Sequence, residues 1–219
     1  SASDRFIVVH NGVIDNYREL TARYLENVVF KSETDTEVIA NLIETFAKAM
    51  KVDEAIRKTL SLLEGSDALL VMDSKNPDTI YAAKNKSPLI LGSSTKGITL
   101  ASDLMALVGN STNYYLIEDK TFIISKCNGK PEFQAFDIIG KPLKLSVHKL
   151  ALTNSQIDKA GYEHFMLKEI SEQPTVIRKI LSSYLDGDKF NFSPEVIETI
   201  REKKRLYIIA AGTSMHAGY

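Results

Sequence analysis

Apolar and polar residues alternate along this chain with two different periods, and the change from one to the other divides it. Phe6 to Val9 is a short apolar run ending in two β-branched residues, which predicts a buried strand. Tyr17, Leu20, Tyr24 and Leu25 follow at helical spacing, and Val28-Val29-Phe30 is short and β-rich, a second strand. Val38, Ile39, Leu42, Ile43, Phe46 and Met50 then recur at three and four, the stripe of an amphipathic helix. Ala55, Ile56, Leu60 and Leu63 predict another helix over 52–63. From Gly65 onward the period shortens. Strands are expected at 68–72, 79–83, 88–92, 97–101, 113–117, 121–127 and 132–136, separated by breaks such as Asn76-Pro77, Asn85-Lys86 and Asn128-Gly129. Helices followed by a run of strands predict an α+β layered domain, not a βαβ repeat.

Local signals sharpen some of the boundaries. Thr34 with Glu37 three residues on has the form of a capping box at the start of the second helix, with Asp35 in its first turn. Ser102 is the expected cap of a short helix through Leu107. Near residue 150 the pattern changes again: 151–161 is polar and aperiodic, a connector. The stretch 162–185 is helical, and Pro174 predicts either a kink or the start of a new helix. Ser193-Pro194-Glu195 opens a further helix, Ser193 capping and Pro194 in the first position, which ends in the basic run Arg201 to Arg205. Leu206 to Ala211 reads as a buried strand breaking at Gly212-Thr213-Ser214.

Composition adds mainly exclusions. The 219 residues are 44% hydrophobic and 25% charged, with a formal net charge of −1, ordinary for one large domain or two small ones. That balance lacks the basic face of a nucleic-acid binder. No apolar run approaches the ~20 residues of a membrane span, and the first residues lack the charged start and apolar core of a signal peptide. The single cysteine, Cys127, permits no intrachain disulfide and predicts a reducing compartment, by default the cytoplasm. Ser1 opens the sequence with a core strand almost at once, so either this strand begins the domain or the chain has been cut from something longer.

Three places carry candidate chemistry. A turn at Asn11-Gly12, at the end of the first strand, would aim an Asn carboxamide N–H and a Gly amide N–H at one point, two donors such as a developing oxyanion needs; a plain hairpin turn is the competing reading. Asp35 is either a dipole-compensating residue or a carboxylate at a pocket rim facing a ligand ammonium. Gly212-Thr213-Ser214, between a strand and a helix, has the form of a phosphate cradle. His148, His164 and His216 show no ligand spacing, and His10 takes a structural or site-shaping role beside the turn.

His10-Asn11-Gly12, Ser32-Glu33-Thr34-Asp35-Thr36-Glu37, Ser87-Pro88-Leu89, Ala101-Ser102-Asp103, Met166 with Lys168-Glu169-Ile170 and Glu172-Gln173-Pro174, and Gly212-Thr213-Ser214 occur in this order. Together they resemble the isomerizing glutamine–fructose-6-phosphate aminotransferases along nearly the whole chain. The first two motifs are shared with other amidotransferases that use an N-terminal cysteine; the 168–174 stretch joined to the Gly-Thr-Ser is more specific. The resemblance implies an αββα sandwich of the N-terminal nucleophile hydrolase type, here incomplete, over 1–149. A connector with helices would fill 150–204, and the first strand of a sugar isomerase domain 205–219. It implies Asn11 and Gly12 as oxyanion donors, Asp35 as the holder of the glutamine ammonium, and Thr213 and Ser214 at the start of a sugar-phosphate site. Glutamine and fructose 6-phosphate would be the substrates, with no metal or organic cofactor, no nucleic acid and no membrane. The parent protein would dimerise through its isomerase domain.

The departures matter too. The N-terminal Cys-Gly pair of the family is absent, as are its arginine segment for the glutamine carboxylate and most of the isomerase domain. Cys127 is internal, in a strand pattern, and reads as structural. The chain as given is therefore expected to be inactive. A related amidotransferase such as amidophosphoribosyltransferase, and a noncatalytic glutamine- or sugar-phosphate-binding module, stay as alternatives. Asn11, Gly12 and Asp35 are expected to converge on one pocket.

Overall fold

The computed structural model describes residues 1–126, 130–150, 159–187, 189–205, 207–210 and 213–218. The chain forms two compact units, 1–157 and 158–219. Cys127, the Asn128-Gly129 break, most of the expected connector and Gly212 lie outside the described residues.

The first unit opens with β1 (Phe6–Ile14), followed by α1 (Tyr17–Tyr24), α2 (Asp35–Phe46) and α3 (Val52–Leu60). Strands come next: β2 (Gly65–Asp73), β3 (Asn76–Asn85), β4 (Ile90–Ser93), β5 (Ile98–Ala101), β6 (Asn113–Leu116), β7 (Thr121–Lys126), β8 (Glu132–Asp137), β9 (Pro142–Leu143) and β10 (Val147–Lys149). Antiparallel pairing builds a six-stranded sheet, β1-β2-β3-β7-β8-β9, and a four-stranded sheet, β10-β6-β4-β5.

Strand alternation sorts the large sheet's side chains into two cores. Phe6, Ile14, Leu69, Val71, Tyr81, Ala83 and Phe122 face one way and meet Leu20, Val38, Ile39, Leu42, Ile43 and Ile56 of the helices. Their sequence neighbours Ala68, Ala82, Ile123 and Ala135 face the other way, onto Leu89 and Leu91 of the small-sheet region. The layers are thus helix, sheet, sheet. On the outer face of the small sheet a single 3-10 turn, Leu104–Leu107, buries Leu107 completely. A Cβ at Gly92 would sit 2.9 Å from Leu107 Cδ2. The absence of that methylene lets the turn lie against the sheet.

Several local expectations change. Asn11-Gly12 is not a turn: β1 continues through it, with Val13 paired to Ser66 and Ile14 to Gly65. The chain reverses only after Ile14, where Asn16 fixes the bend by accepting from Glu64 N–H and donating to the Leu62 carbonyl. Val28–Phe30 forms no strand; Val28 N–H bonds the Leu25 carbonyl to end α1, and Val28 and Phe30 pack on the helical core as a loop. The capping box does not close. Thr34 stands at the N-cap without a side-chain capping bond, its hydroxyl paired with that of Ser32, and Glu37 instead accepts from the Lys31 and Ser32 amides and the Ser32 hydroxyl. Asp103, not Ser102, caps the short turn, accepting from Met105 N–H at 2.7 Å. Asn76-Pro77 begins β3, where a proline at the strand start costs no ladder bond.

The second unit contains α4 (Phe165–Tyr184), the hairpin β11 (Leu185–Asp186) with β12 (Lys189–Phe190), α5 (Pro194–Glu202) and the short α6 (Thr213–His216). Pro174 lies inside one unbroken helix, and Ser193 caps α5 as expected, accepting from Val196 N–H. Residues 207–210, expected as a buried strand, belong to no sheet among the described residues, and Ile209 is 97% exposed. A strand needs a neighbour to satisfy its amides, and none lies alongside among the described residues.

Two features of the first unit yield measurable consequences. The outer edge of β1 pairs with no strand among the described residues, and Ile7, Val9 and Val13 are 51%, 62% and 59% exposed. Such an edge templates pairing with another chain. The 219-residue chain should self-associate in sedimentation experiments, and Val9→Lys should shift it toward monomer. Arg5 grips Asp73 through two bonds of 3.0 and 2.8 Å, and Asp73's side chain is only 4% exposed. The Arg5 guanidinium holds the Asp73 carboxyl below its ordinary value. Asp73→Asn should cost about 1.5–3 kcal/mol in urea unfolding at neutral pH. Because the folded value is depressed, that difference should persist down to about pH 4 and fade as pH drops through the folded value.

Candidate functional site

β1 is the element on which the candidate site is laid out. Gly12 adopts φ +147°, and a Cβ there would stand 1.9 Å from the Ser66 carbonyl oxygen. At Gly65, φ +130°, an added Cβ would likewise stand 2.1 Å from the Val13 carbonyl oxygen. Side chains are excluded from both positions because the two backbones meet there.

Along an antiparallel strand, successive amides point alternately toward the partner and away from it. Asp15 N–H bonds the Glu64 carbonyl on the β2 side. Ile14 N–H therefore points to the outer edge, and there it donates to Asp35 Oδ2 at 2.8 Å. Gly12 N–H, two residues earlier, faces that same edge. The exposed Asn11 side chain stands on the opposite sheet face from His10. Asp35, in the first turn of α2, is thereby fixed beside β1 across more than twenty residues of sequence. Its side chain is 24% exposed and still open to solvent on one side.

Asp35 does not stand alone. Thr36 Oγ1 donates to Asp35 Oδ1 at 3.5 Å and lies 3.0 Å from His10 Nδ1. His10, with its side chain 2% exposed, sits 3.8 Å from Asp35 Oδ1. Glu37 ties the preceding loop down. Burial would raise its carboxyl, but the Ser32 hydroxyl and the Lys31 and Ser32 amides hold it below the ordinary value. A cleft of 500 Å3 runs along the outer edge between Phe6, Val8 and the start of α2 at Thr34, Thr36 and Glu37. Neither Gly12 nor Asp35 lines that cleft directly.

On the helix-facing side, Asp67 is 3% exposed and pairs in register with Gly12. Burial raises its pKa against the opposing hydrogen bond from Asn85, whose Nδ2 lies 3.2 Å from Oδ2. Asp67 and Asn85 line a second cleft of 180 Å3 with Leu60, Leu63 and Thr121. Sequence reasoning missed both residues. The available signal was an acid at an inward position of a strand otherwise occupied there by Leu69 and Val71.

Thr213 and Ser214 open the four-residue α6 of the second unit, and Ser214 is exposed. Described residues of the chain contain no group of His, Cys, Asp and Glu side chains placed to hold a metal ion.

An exposed amide edge beside a carboxylate can receive a polar substrate with its ammonium on the acid and its carbonyl oxygen on the amides. Comparison with known proteins bears on which substrate. Residues 1–109 match the family model of the glutamine amidotransferase domain. Over all 219 residues the chain is 44% identical to the isomerizing glutamine–fructose-6-phosphate aminotransferase of Listeria monocytogenes, and over 220 aligned residues 43% identical to that of Staphylococcus aureus. It spans 36% of the length of each. Among solved structures, glutamine phosphoribosylpyrophosphate amidotransferase from B. subtilis superposes with a TM-score of 0.53 at 23% identity, covering 63% of this chain and 30% of that one. An allosteric regulatory enzyme of purine biosynthesis gives 0.51 at 22%, with the same coverage. These two establish a shared fold over that part of the chain. The likeness to the glutamine amidotransferase domain is thus carried by residues 1–109, and the likeness to the aminotransferases by the whole chain.

Proposed function

We propose that this chain is the greater part of the glutamine-hydrolysing domain, and the beginning of the sugar isomerase domain, of an isomerizing glutamine–fructose-6-phosphate aminotransferase. The observation that carries the reading is identity of 44% across the whole chain, through residues well beyond the 109 that amidotransferases share. The glutaminase part would span 1–149, helices and connector 150–204, and the isomerase start 205–219. The complete protein would move the amide nitrogen of glutamine to fructose 6-phosphate, giving glutamate and glucosamine 6-phosphate.

In this reading Asn11 and the edge-facing Gly12 amide receive the oxyanion that forms when a thiolate attacks the glutamine carboxamide. Asp35, already polarised by the Ile14 amide, receives the substrate ammonium, whose positive charge the carboxylate attracts at short range. Thr213 and Ser214 would bind the sugar phosphate. The nucleophile would be an N-terminal cysteine whose own α-amine acts as base. Such a pair does not occur among these 219 residues, whose one cysteine is internal. A cytoplasmic location fits that single cysteine, and a homodimer through the isomerase domain is part of the same proposal.

A phosphoribosyl acceptor is the competing reading, the one named for the B. subtilis structure that shares the fold. The acceptor assay separates them. The complete protein, given glutamine, should consume fructose 6-phosphate and leave phosphoribosylpyrophosphate untouched; the reverse result would sink the aminotransferase reading. Asn11→Ala in that protein should lower the glutaminase rate about 10²–10³-fold, the usual loss of one oxyanion donor. The 219-residue chain alone should release no glutamate above a blank.

A further inference from the structure

His10 and Asp67 each keep one buried side-chain atom without a hydrogen-bond partner, Nε2 of the imidazole and Oδ1 of the carboxyl. Leaving such an atom unmatched is costly enough that neighbouring orphans call for a common explanation. The register makes them neighbours. His10 pairs with Leu69 and Gly12 with Asp67, so the two side chains are diagonal partners on the helix-facing side of the sheet. Gly12 places no side chain between them. Asn85 holds Asp67 Oδ2, which leaves Oδ1 for His10. No direct ion pair joins them among the described residues, and two such unmatched buried polar atoms suit one bridging water.

The other side of the ring meets the Thr36 hydroxyl, 3.0 Å from Nδ1 and 3.5 Å from Asp35 Oδ1. A hydroxyl has one proton; with that proton directed to Asp35, the oxygen accepts from His10, an arrangement that requires the Nδ1–H tautomer. Nε2 is then the variable position, and the group facing it decides whether it accepts or donates. By register Asp67 lies diagonal to it on the facing strand.

We propose that Asp67 is a positioning residue for the glutamine site, acting across one water on His10 and through His10 and Thr36 on Asp35. The route runs from the sheet interior to the outer edge of β1: Asn85, Asp67, His10, Thr36, Asp35. Asp67 touches no substrate. It sets the ring that holds the hydroxyl that orients the carboxylate. This rests on the reading of Asp35 as the ammonium-binding residue, and the experiment has one arm that does not.

The complete protein carrying Asp67→Asn keeps the side-chain shape and removes the carboxylate. Its KM for glutamine should rise about three- to tenfold, the scale of one lost hydrogen bond, with kcat within about twofold. Thr36→Val should raise KM similarly, and Thr36→Ser, which restores the hydroxyl, should recover it. Independently of turnover, ¹⁵N spectra of the histidine-labelled protein should show His10 as the Nδ1–H form and should show its Nε2 resonance displaced by Asp67→Asn. A protein without glutaminase activity would sink the functional reading while the resonance still tested the contact. An unmoved His10 resonance, or a fall in kcat with KM unchanged, would overturn the proposal.

Discussion

The contact of two backbones at Gly12 and Gly65 is the constraint on which the rest of the first unit depends. Ser66 and Val13 carbonyls occupy the space where side chains would otherwise stand, so β1 and β2 can pair in only one register there. A slip of one residue would put a Cβ into a carbonyl and would also turn every side chain to the wrong face. Phe6 and Ile14 would leave the helical core and Ile7 and Val13 would enter it. The register carries Ile14 N–H to Asp35 and so seats α2; α2 in turn supplies Ile39, Leu42 and Ile43 to the same core. Backbone contact, helix docking and candidate site are one linked arrangement.

Much of this was legible in the sequence, for physical reasons that also explain the failures. Period carries far: the α2 stripe and the strands from Gly65 onward follow from apolar spacing, because each element must bury one face. Capping and turn signals carry less, because several partners compete for the same polar group. Glu37 matches a box with Thr34, yet the free amides of Lys31 and Ser32 offer it two bonds and a hydroxyl a third. Asn11-Gly12 favours a turn locally, but β2 offers pairing on past it, and Gly12 is needed for close approach rather than reversal.

The candidate site divides along the same line. Asp35, Asn11 and Gly12 could be named from motif order, and the structure ties Asp35 to β1 through one hydrogen bond. Asp67 and Asn85 could not, because nothing local marks a buried acid as different from a surface one. Its environment is made by long-range pairing, of β2 with β1 on one side and β3 on the other. Residues 207–210 failed for a related reason: an apolar run fixes no strand unless another strand lies beside it.

The carboxylate of Asp35 on the Ile14 amide also has a consequence in the time domain. An outer-edge amide normally trades its hydrogen with water freely, since no neighbouring strand shields it. Ile14 departs from that, clamped by a side chain rooted in a packed helix, as does Phe6 at the strand's other end, bonded to the Ser1 hydroxyl. Deuterium labelling would therefore find a slow hydrogen at Ile14, and its lifetime would report how firmly α2 is seated. Gly12, two residues earlier on that row, would exchange quickly, and in the proposed reading would slow once a glutamine carbonyl came to rest against it.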